Sequence, residues 1–134
     1  MDLGIGGRKA IVCGSSKGLG RACAVSLARE GVAVTLNSRT IDELNATADD
    51  IRSETNVEVS AVACDVTTPD GQIKLLKTCP VPNILASNAG GPPTGDFRYW
   101  IGEDSKKAVT WNMLTPIELI KATVDGMINR ILVE

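Results

Sequence analysis

The chain has 134 residues, 43% of them hydrophobic and 22% charged, with a net charge of −2, which suits one globular domain with its own core. Its lysines and arginines are scattered and no apolar run approaches the roughly 18 residues of a membrane span, so nucleic acid and membrane are not expected partners. There is no histidine, and Cys13, Cys23, Cys64 and Cys79 show no C-x-x-C spacing, which excludes the usual zinc sites and every nucleophile that needs an imidazole base.

The four cysteines are expected to be reduced and mostly buried, and no metal site is expected. The start, Met1-Asp-Leu-Gly-Ile5, lacks the basic and apolar regions of a signal peptide, so a cytoplasmic location is expected.

In chain order, residues 9–13 form an apolar run that ends in a glycine-rich turn, the pattern of a strand buried on both faces of a parallel sheet. A helix is expected over 19–30, its apolar side made by Leu19, Ala22, Cys23, Leu27 and Ala28, with Gly31 as its stop. Residues 32–36 read as a second strand. Thr40 followed by Glu43 then reads as a capping box opening a helix that carries Ile41, Leu44, Ala48 and Ile51.

A third strand is expected over 57–63, closed by Cys64-Asp65-Val66. Thr68-Pro69 supplies an N-cap and a proline at the first position of a helix whose apolar side is Ile73, Leu75 and Leu76. Residues 83–86 make a fourth strand that enters the loop 87–95, too rich in Gly and Pro for regular structure. One or two helices follow over 102–130, with Pro116 as an internal breaker or a fresh start, and 131–134 are apolar enough for a fifth strand. Strands alternating with helices specify an α/β fold, a Rossmann-type three-layer sandwich on a mainly parallel sheet.

Between the first strand and first helix stands Gly14-Ser15-Ser16-Lys17-Gly18-Leu19-Gly20. Glycines there allow a sharp turn, let a pyrophosphate approach the main chain and aim the helix's free N–H groups at it. The alternative is that they serve packing alone. A mononucleotide P-loop is excluded, because Gly18 is followed by Leu19-Gly20 rather than Lys-Ser or Lys-Thr. The G-x-G-x-x-G order is also absent, since the close pair of glycines comes last.

These residues resemble the short-chain dehydrogenase/reductase family over essentially the whole chain, with the tone of NADP-preferring, 3-oxoacyl-carrier-protein-reductase-like members. The family's T-G-x-x-x-G-[IL]-G is matched by Cys13 to Gly20, with Cys13 in place of Thr. Its adenine-contact pair is matched by Asp65-Val66, and its N-N-A-G by Ser87-Asn88-Ala89-Gly90, with Ser87 replacing the first Asn.

The resemblance implies a nicotinamide dinucleotide. Gly14, Ser16, Lys17, Gly18, Leu19, Gly20 and Arg39 would hold its phosphates, Asp65 and Val66 its adenine, and Asn88, Ala89 and Gly90 the adjoining ribose. Where NAD-dependent Rossmann proteins carry an acid after the second strand, this chain reads Asn37-Ser38-Arg39, which favours NADP(H). The competing reading makes Arg39 and Lys17 plain solvated cations.

Asn112 aligns with the family's active-site asparagine, which holds a water at an interruption of a long helix. Pro116 has no N–H to bond the Asn112 carbonyl. Asn112 or Thr115 capping a helix at Pro116 is the other reading.

The family's catalytic Ser, Tyr and Lys have no match. The only tyrosine, Tyr99, is followed four positions on by Glu103, which disfavours a phenolate, and Tyr99 is expected on a loop or the surface. The chain is therefore expected to be a single truncated NADP-binding domain over 1–134, acting on a small carbonyl or alcohol only if active. Its alternatives are an inactive NADP(H)-binding or regulatory module and a nonfunctional fragment. An exposed apolar sheet edge and helix face would call for a homo-oligomer or a full-length relative as partner.

Overall fold

Strand β1 (Lys9–Val12) is apolar at nearly every position because both of its faces are covered. Ala10 and Val12 point into one core, Ile11 and the following Cys13 into another, as the period-2 geometry of a strand requires. The computed structural model describes residues 1–131.

After β1 come α1 (Gly18–Arg29), β2 (Ala33–Ser38), α2 (Ile41–Glu54), β3 (Val59–Ala63), α3 (Pro69–Thr78) and β4 (Ile84–Ala86). A 3-10 turn (Phe97–Tyr99), α4 (Gly102–Val109), a π-helical turn (Thr110–Leu114) and α5 (Thr115–Ile131) complete the described chain.

The sheet runs β3-β2-β1-β4, every pair parallel, with Val12 beside Leu36 and Ala86, and Leu36 beside Ala61. One core lies under α1 and α2, built from Val12, Ala24, Ala28, Val34, Leu36, Leu44 and Ile51. The other lies under α3 and α5, built from Ile11, Cys13, Val62, Leu75 and Leu119. This is the three-layer Rossmann-type arrangement expected. Because β2 and β4 flank β1, the chain leaves β1 in opposite directions on its two sides, which opens a crevice at the strands' carboxyl ends.

Several local expectations are corrected. The buried side of α1 is Gly20, Ala24 and Ala28, whereas Leu19 is 83% exposed and Ala22 and Cys23 are exposed as well. Small residues face inward because the helix starts in direct contact with the glycine turn. On α3, Gly71 and Leu75 face inward and Ile73 is exposed. A Cβ on Gly71 would stand 1.8 Å from the Asp65 carbonyl oxygen, so the helix is pressed onto the loop after β3 along that face.

Thr40 is the N-cap of α2, but its side chain makes no capping bond, so the Thr40–Glu43 box does not form. Its backbone N–H instead donates to Ser38 Oγ at 3.3 Å. Thr68 does cap α3, accepting from the Gly71 N–H at 3.1 Å with Pro69 next to it. Ile131, expected to open a fifth strand, instead ends α5, and 132–134, the rest of that expected strand, lie outside the described residues. The cysteines are free: Cys13 and Cys79 buried, Cys64 half-buried and Cys23 exposed.

Candidate cofactor site

The glycine turn is a backbone contact between its own two ends and a loop 74 residues further along the chain. Gly14 takes φ +59°, the left-handed region that favours glycine, and a Cβ there would meet the Asn88 carbonyl oxygen at 2.2 Å. A Cβ on Gly20 would meet the Gly14 carbonyl oxygen at 2.1 Å. The end of β1, the first turn of α1 and the loop after β4 thus close on one another with no room for a side chain between them. Asn88 Nδ2 lies 3.5 Å from the Gly14 carbonyl it donates to.

A buried asparagine ties this turn to the rest of the sheet. Asn37, 2% exposed near the end of β2, accepts from the Ser15 N–H at 2.9 Å, and its own N–H donates to Ser15 Oγ at 2.9 Å. Its side-chain Nδ2 donates to the carbonyls of Val62 at 3.1 Å and Cys64 at 3.2 Å. One residue therefore holds the ends of β1, β2 and β3 in register. Charge patterning alone passes over it; the available signal is an amide in a largely buried strand.

The crevice above these contacts has a volume of about 260 Å³. It gathers Gly14, Ser16 and Lys17 from the turn, Arg39 after β2, Asp65 and Val66 after β3, and Asn88, Ala89 and Gly90 after β4. Gly18, Leu19, Gly20 and Asn112 do not line it: Gly20 is buried beneath Gly14, and Leu19 projects outward. Glu43, Cys64, Thr67 and Trp111 line it without having been expected there.

The charged side chains that line the crevice are the cations Lys17 and Arg39 and the acids Glu43 and Asp65. Lys17 and Arg39 form no ion pair among the described residues, whereas Arg21 and Arg29 on α1 are paired with Asp50 and Glu54. Lys17 is the N-cap of α1 but supplies no side-chain cap, so the first N–H groups of the helix have no side-chain acceptor.

Asp65 Oδ1 is engaged by the Thr67 N–H at 3.0 Å and hydroxyl at 2.6 Å, which fixes the loop after β3. The Cys64 thiol donates to the Gly71 carbonyl at 3.2 Å, and burial raises its pKa, so it stands as a neutral hydrogen-bonding group. No group of three metal-ligating side chains occurs among the described residues.

The long helix is interrupted where Pro116 predicts a disturbance. The Thr115 N–H bonds to the Thr110 carbonyl, five residues back, and the chain passes through without leaving helical dihedrals (Thr115 φ −61°, ψ −49°). A proline in the following turn cannot donate and crowds the carbonyl four residues back, and a wider turn accommodates both. The reading in which Asn112 or Thr115 caps a new helix is thereby corrected. Thr115 Oγ1 is buried without a partner, and Asn112 Nδ2 donates back to Ala108 O at 3.0 Å from an exposed position. Tyr99 sits on the 3-10 turn, 83% exposed.

A family model described as short chain dehydrogenase matches residues 8–131. The chain belongs to that family. Among its relatives, this chain is 36% identical over 131 residues to an uncharacterized oxidoreductase of Bacillus subtilis, covering 97% of this chain and 50% of the relative. It is 28% identical over 132 residues to a very-long-chain 3-oxoacyl-CoA reductase of Mus musculus, covering 92% of this chain and 42% of that protein.

Among solved structures, L-sorbose reductase from Gluconobacter frateurii, complexed with NADPH and L-sorbose, superimposes with a TM-score of 0.90 at 30% identity. That match covers 97% of this chain and 51% of that one. The chain thus spans about half the length of the relatives it matches. No described helix is long and apolar enough to cross a membrane.

Proposed function

We propose that this chain binds NADP(H) as the cofactor-holding part of a cytoplasmic oxidoreductase that acts on a carbonyl or secondary alcohol, with 3-oxoacyl substrates among the candidates. The observation that carries the cofactor choice is the pair of cations, Lys17 and Arg39, unpaired among the described residues on a crevice whose floor is glycine backbone. The residues fit the group. Gly14, Ser16 and Lys17 offer backbone N–H groups and a charge to a pyrophosphate, backed by Gly18, Leu19 and Gly20. Arg39 stands where a 2′-phosphate would need a counter-charge, Asp65 and Val66 where the adenine would lie, and Asn88, Ala89 and Gly90 beside its ribose.

When bound, the nicotinamide supplies the hydride. Asn112, within the π-helical turn, is the residue that the family resemblance would assign to the catalytic region, through a water accepted at the carbonyl to which Pro116 cannot donate.

Titration with NADPH and NADH, followed by nucleotide fluorescence, tests the reading. Wild type is expected to bind NADPH more tightly, and Arg39→Asp to weaken NADPH about tenfold or more while leaving NADH nearly unchanged. Equal weakening of both would refute the assignment of Arg39.

A second reading, an NADP(H)-binding or regulatory module without catalysis, is favoured by Tyr99, the one tyrosine of this sequence, which is exposed and has Glu103 four positions on. Carbonyl-dependent oxidation of NADPH by the chain alone would eliminate it. Pairing with a second copy or a full-length relative is supported by Ile117, Ile120, Val124 and Ile128, 36% or more exposed along α5.

A further inference from the structure

A second cavity, of about 100 Å³, opens at the amino ends of the strands, the opposite end of the sheet from the cofactor crevice. Its floor is the face of the sheet that carries Ile11, because residues two apart on a strand share a face. Lys9 of β1 pairs with Ala33 of β2, and the Val34 N–H donates to the Glu58 carbonyl just before β3. Lys9, Ala33 and Glu58 therefore form one row across three strands. The next row on that face is Ile11, Thr35 and Ser60. The end of α3 and the turn after it, from Thr78 to Val81, close the other side.

The first row sets opposite charges apart. The backbones of Lys9 and Glu58 lie two strand spacings from each other, about 10 Å, with the small Ala33 between them. Both side chains line the cavity and both residues are exposed, yet neither forms an ion pair among the described residues. Thr35 and Cys79, 7% and 5% exposed, form the back of the cavity and hydrogen-bond to each other. Burial pushes the Cys79 thiol up, the Thr35 hydroxyl, Lys9 and Arg130 draw it down, and Glu58 adds to the rise. Both signs of charge thus reach the same wall. Ser60 Oγ, half-buried beside Thr35, has no hydrogen-bond partner among the described residues.

On the side of α3, the Cys79 N–H bonds the Leu75 carbonyl at 3.3 Å. The following Pro80 and Pro82 have no N–H to offer the helix's final carbonyls, whose partial charge favours a cation. A lone anion in the cavity would meet Glu58 and the helix end, and a lone cation would meet Lys9. A molecule carrying both charges a few bonds apart satisfies both walls at once. The volume corresponds to about three waters at about 30 Å³ each, which suits an amino acid with a very small side chain.

We propose that the cavity at the amino ends of β1, β2 and β3 is a binding site for a small zwitterion of the α-amino-acid class, its carboxylate toward Lys9 and its ammonium toward Glu58. The Ser60 hydroxyl supplies a further hydrogen bond. Because the cavity lies at the far ends of the strands, the inference does not depend on the dinucleotide reading.

The test is a titration of the isotopically labelled full chain by two-dimensional NMR at low salt, with glycine, acetate and methylammonium as probes. Glycine is expected to shift the amides of Ala33, Ser60 and Cys79 saturably in the millimolar range, as so few atoms allow. Acetate and methylammonium, each with one charge, are expected to bind more weakly by about fivefold or more. Lys9→Glu and Glu58→Lys are each expected to weaken glycine by about fivefold or more, and the double swap to recover most of the loss, because a zwitterion can turn end for end. Both side chains are exposed, so the substitutions leave the core untouched.

Absence of saturable shifts at these amides, acetate or methylammonium binding as tightly as glycine, or single reversals that leave glycine unaffected would each overturn the proposal. If a single variant does not fold, the preference of wild type for glycine over the two singly charged probes decides alone: its presence supports the site and its absence overturns it.

Discussion

Replacing Gly20 by alanine sets helix propensity against a backbone contact. Alanine in the first turn of α1 would by itself stabilise the helix by about 1 kcal/mol relative to glycine. The added Cβ, however, would lie 2.1 Å from the Gly14 carbonyl oxygen, 2.7 Å from its carbon and 3.0 Å from Asn88 Nδ2. The first two are backbone atoms, and they cannot swing aside: Gly14 is held at φ +59°, and the neighbouring Ser15 is hydrogen-bonded to Asn37 through both its N–H and its hydroxyl.

Overpacking against a fixed neighbour costs about 1–3 kcal/mol, occasionally more. After the propensity gain is subtracted, Gly20→Ala is expected to lose up to about 2 kcal/mol, with NADPH affinity falling as Gly14 is displaced. Gly102→Ala is the control, since a Cβ on Gly102, at the start of α4, meets nothing within 4 Å. That variant is expected to be neutral or slightly stabilised. Urea denaturation followed by far-ultraviolet circular dichroism measures both, and a Gly20→Ala protein as stable as Gly102→Ala, with NADPH binding intact, would refute the close approach.

Burial pushes the Cys13 thiol up to about 11 from 9.0. Above the unfolded value the unfolded chain loses its proton first, so this contribution is intact below pH about 9. It falls by roughly 1.4 kcal/mol per pH unit until pH about 11. Urea midpoints across that range should decline, and Cys13→Ala should flatten the decline without abolishing it, because burial also raises Cys64 and Cys79.

Asn37→Ala strips the buried carbonyl of Val62 and the partly buried carbonyl of Cys64 of their side-chain donor, with an expected cost of about 1–3 kcal/mol; thermal denaturation showing no change would count against the bridging role. Glu43 borders the crevice that Arg39 enters and carries the wrong charge for a 2′-phosphate. Glu43→Gln should therefore tighten NADPH by up to about fivefold in low-salt titrations while leaving NADH unmoved, the small size reflecting an exposed and screened charge.

Features carried by short stretches are legible in the sequence. The alternation of Ala10, Ile11, Val12 and Cys13 announces a strand covered on both faces. Thr68-Pro69 announces the start of α3, and the spacing of Gly14, Gly18 and Gly20 announces a backbone turn in front of a helix. Each depends on stereochemistry within a few residues, which the sequence states directly. Which face of α1 and α3 turns inward is not legible, because Leu19 and Ile73 are as apolar as the residues that are buried. The choice follows from how closely each helix approaches the loop beneath it.

The same holds for the walls of the crevice. Asn37 gains its importance from carbonyls on and just after β3, and Trp111 its position from a π-helical turn and the backbone of Gly90. By itself the sequence determined the order of the elements, the turn chemistry and the family resemblance, all of which rest on local spacing. Only the tertiary structure decided which side chains share the crevice, because that depends on contacts between strand ends and helix turns that no local pattern encodes.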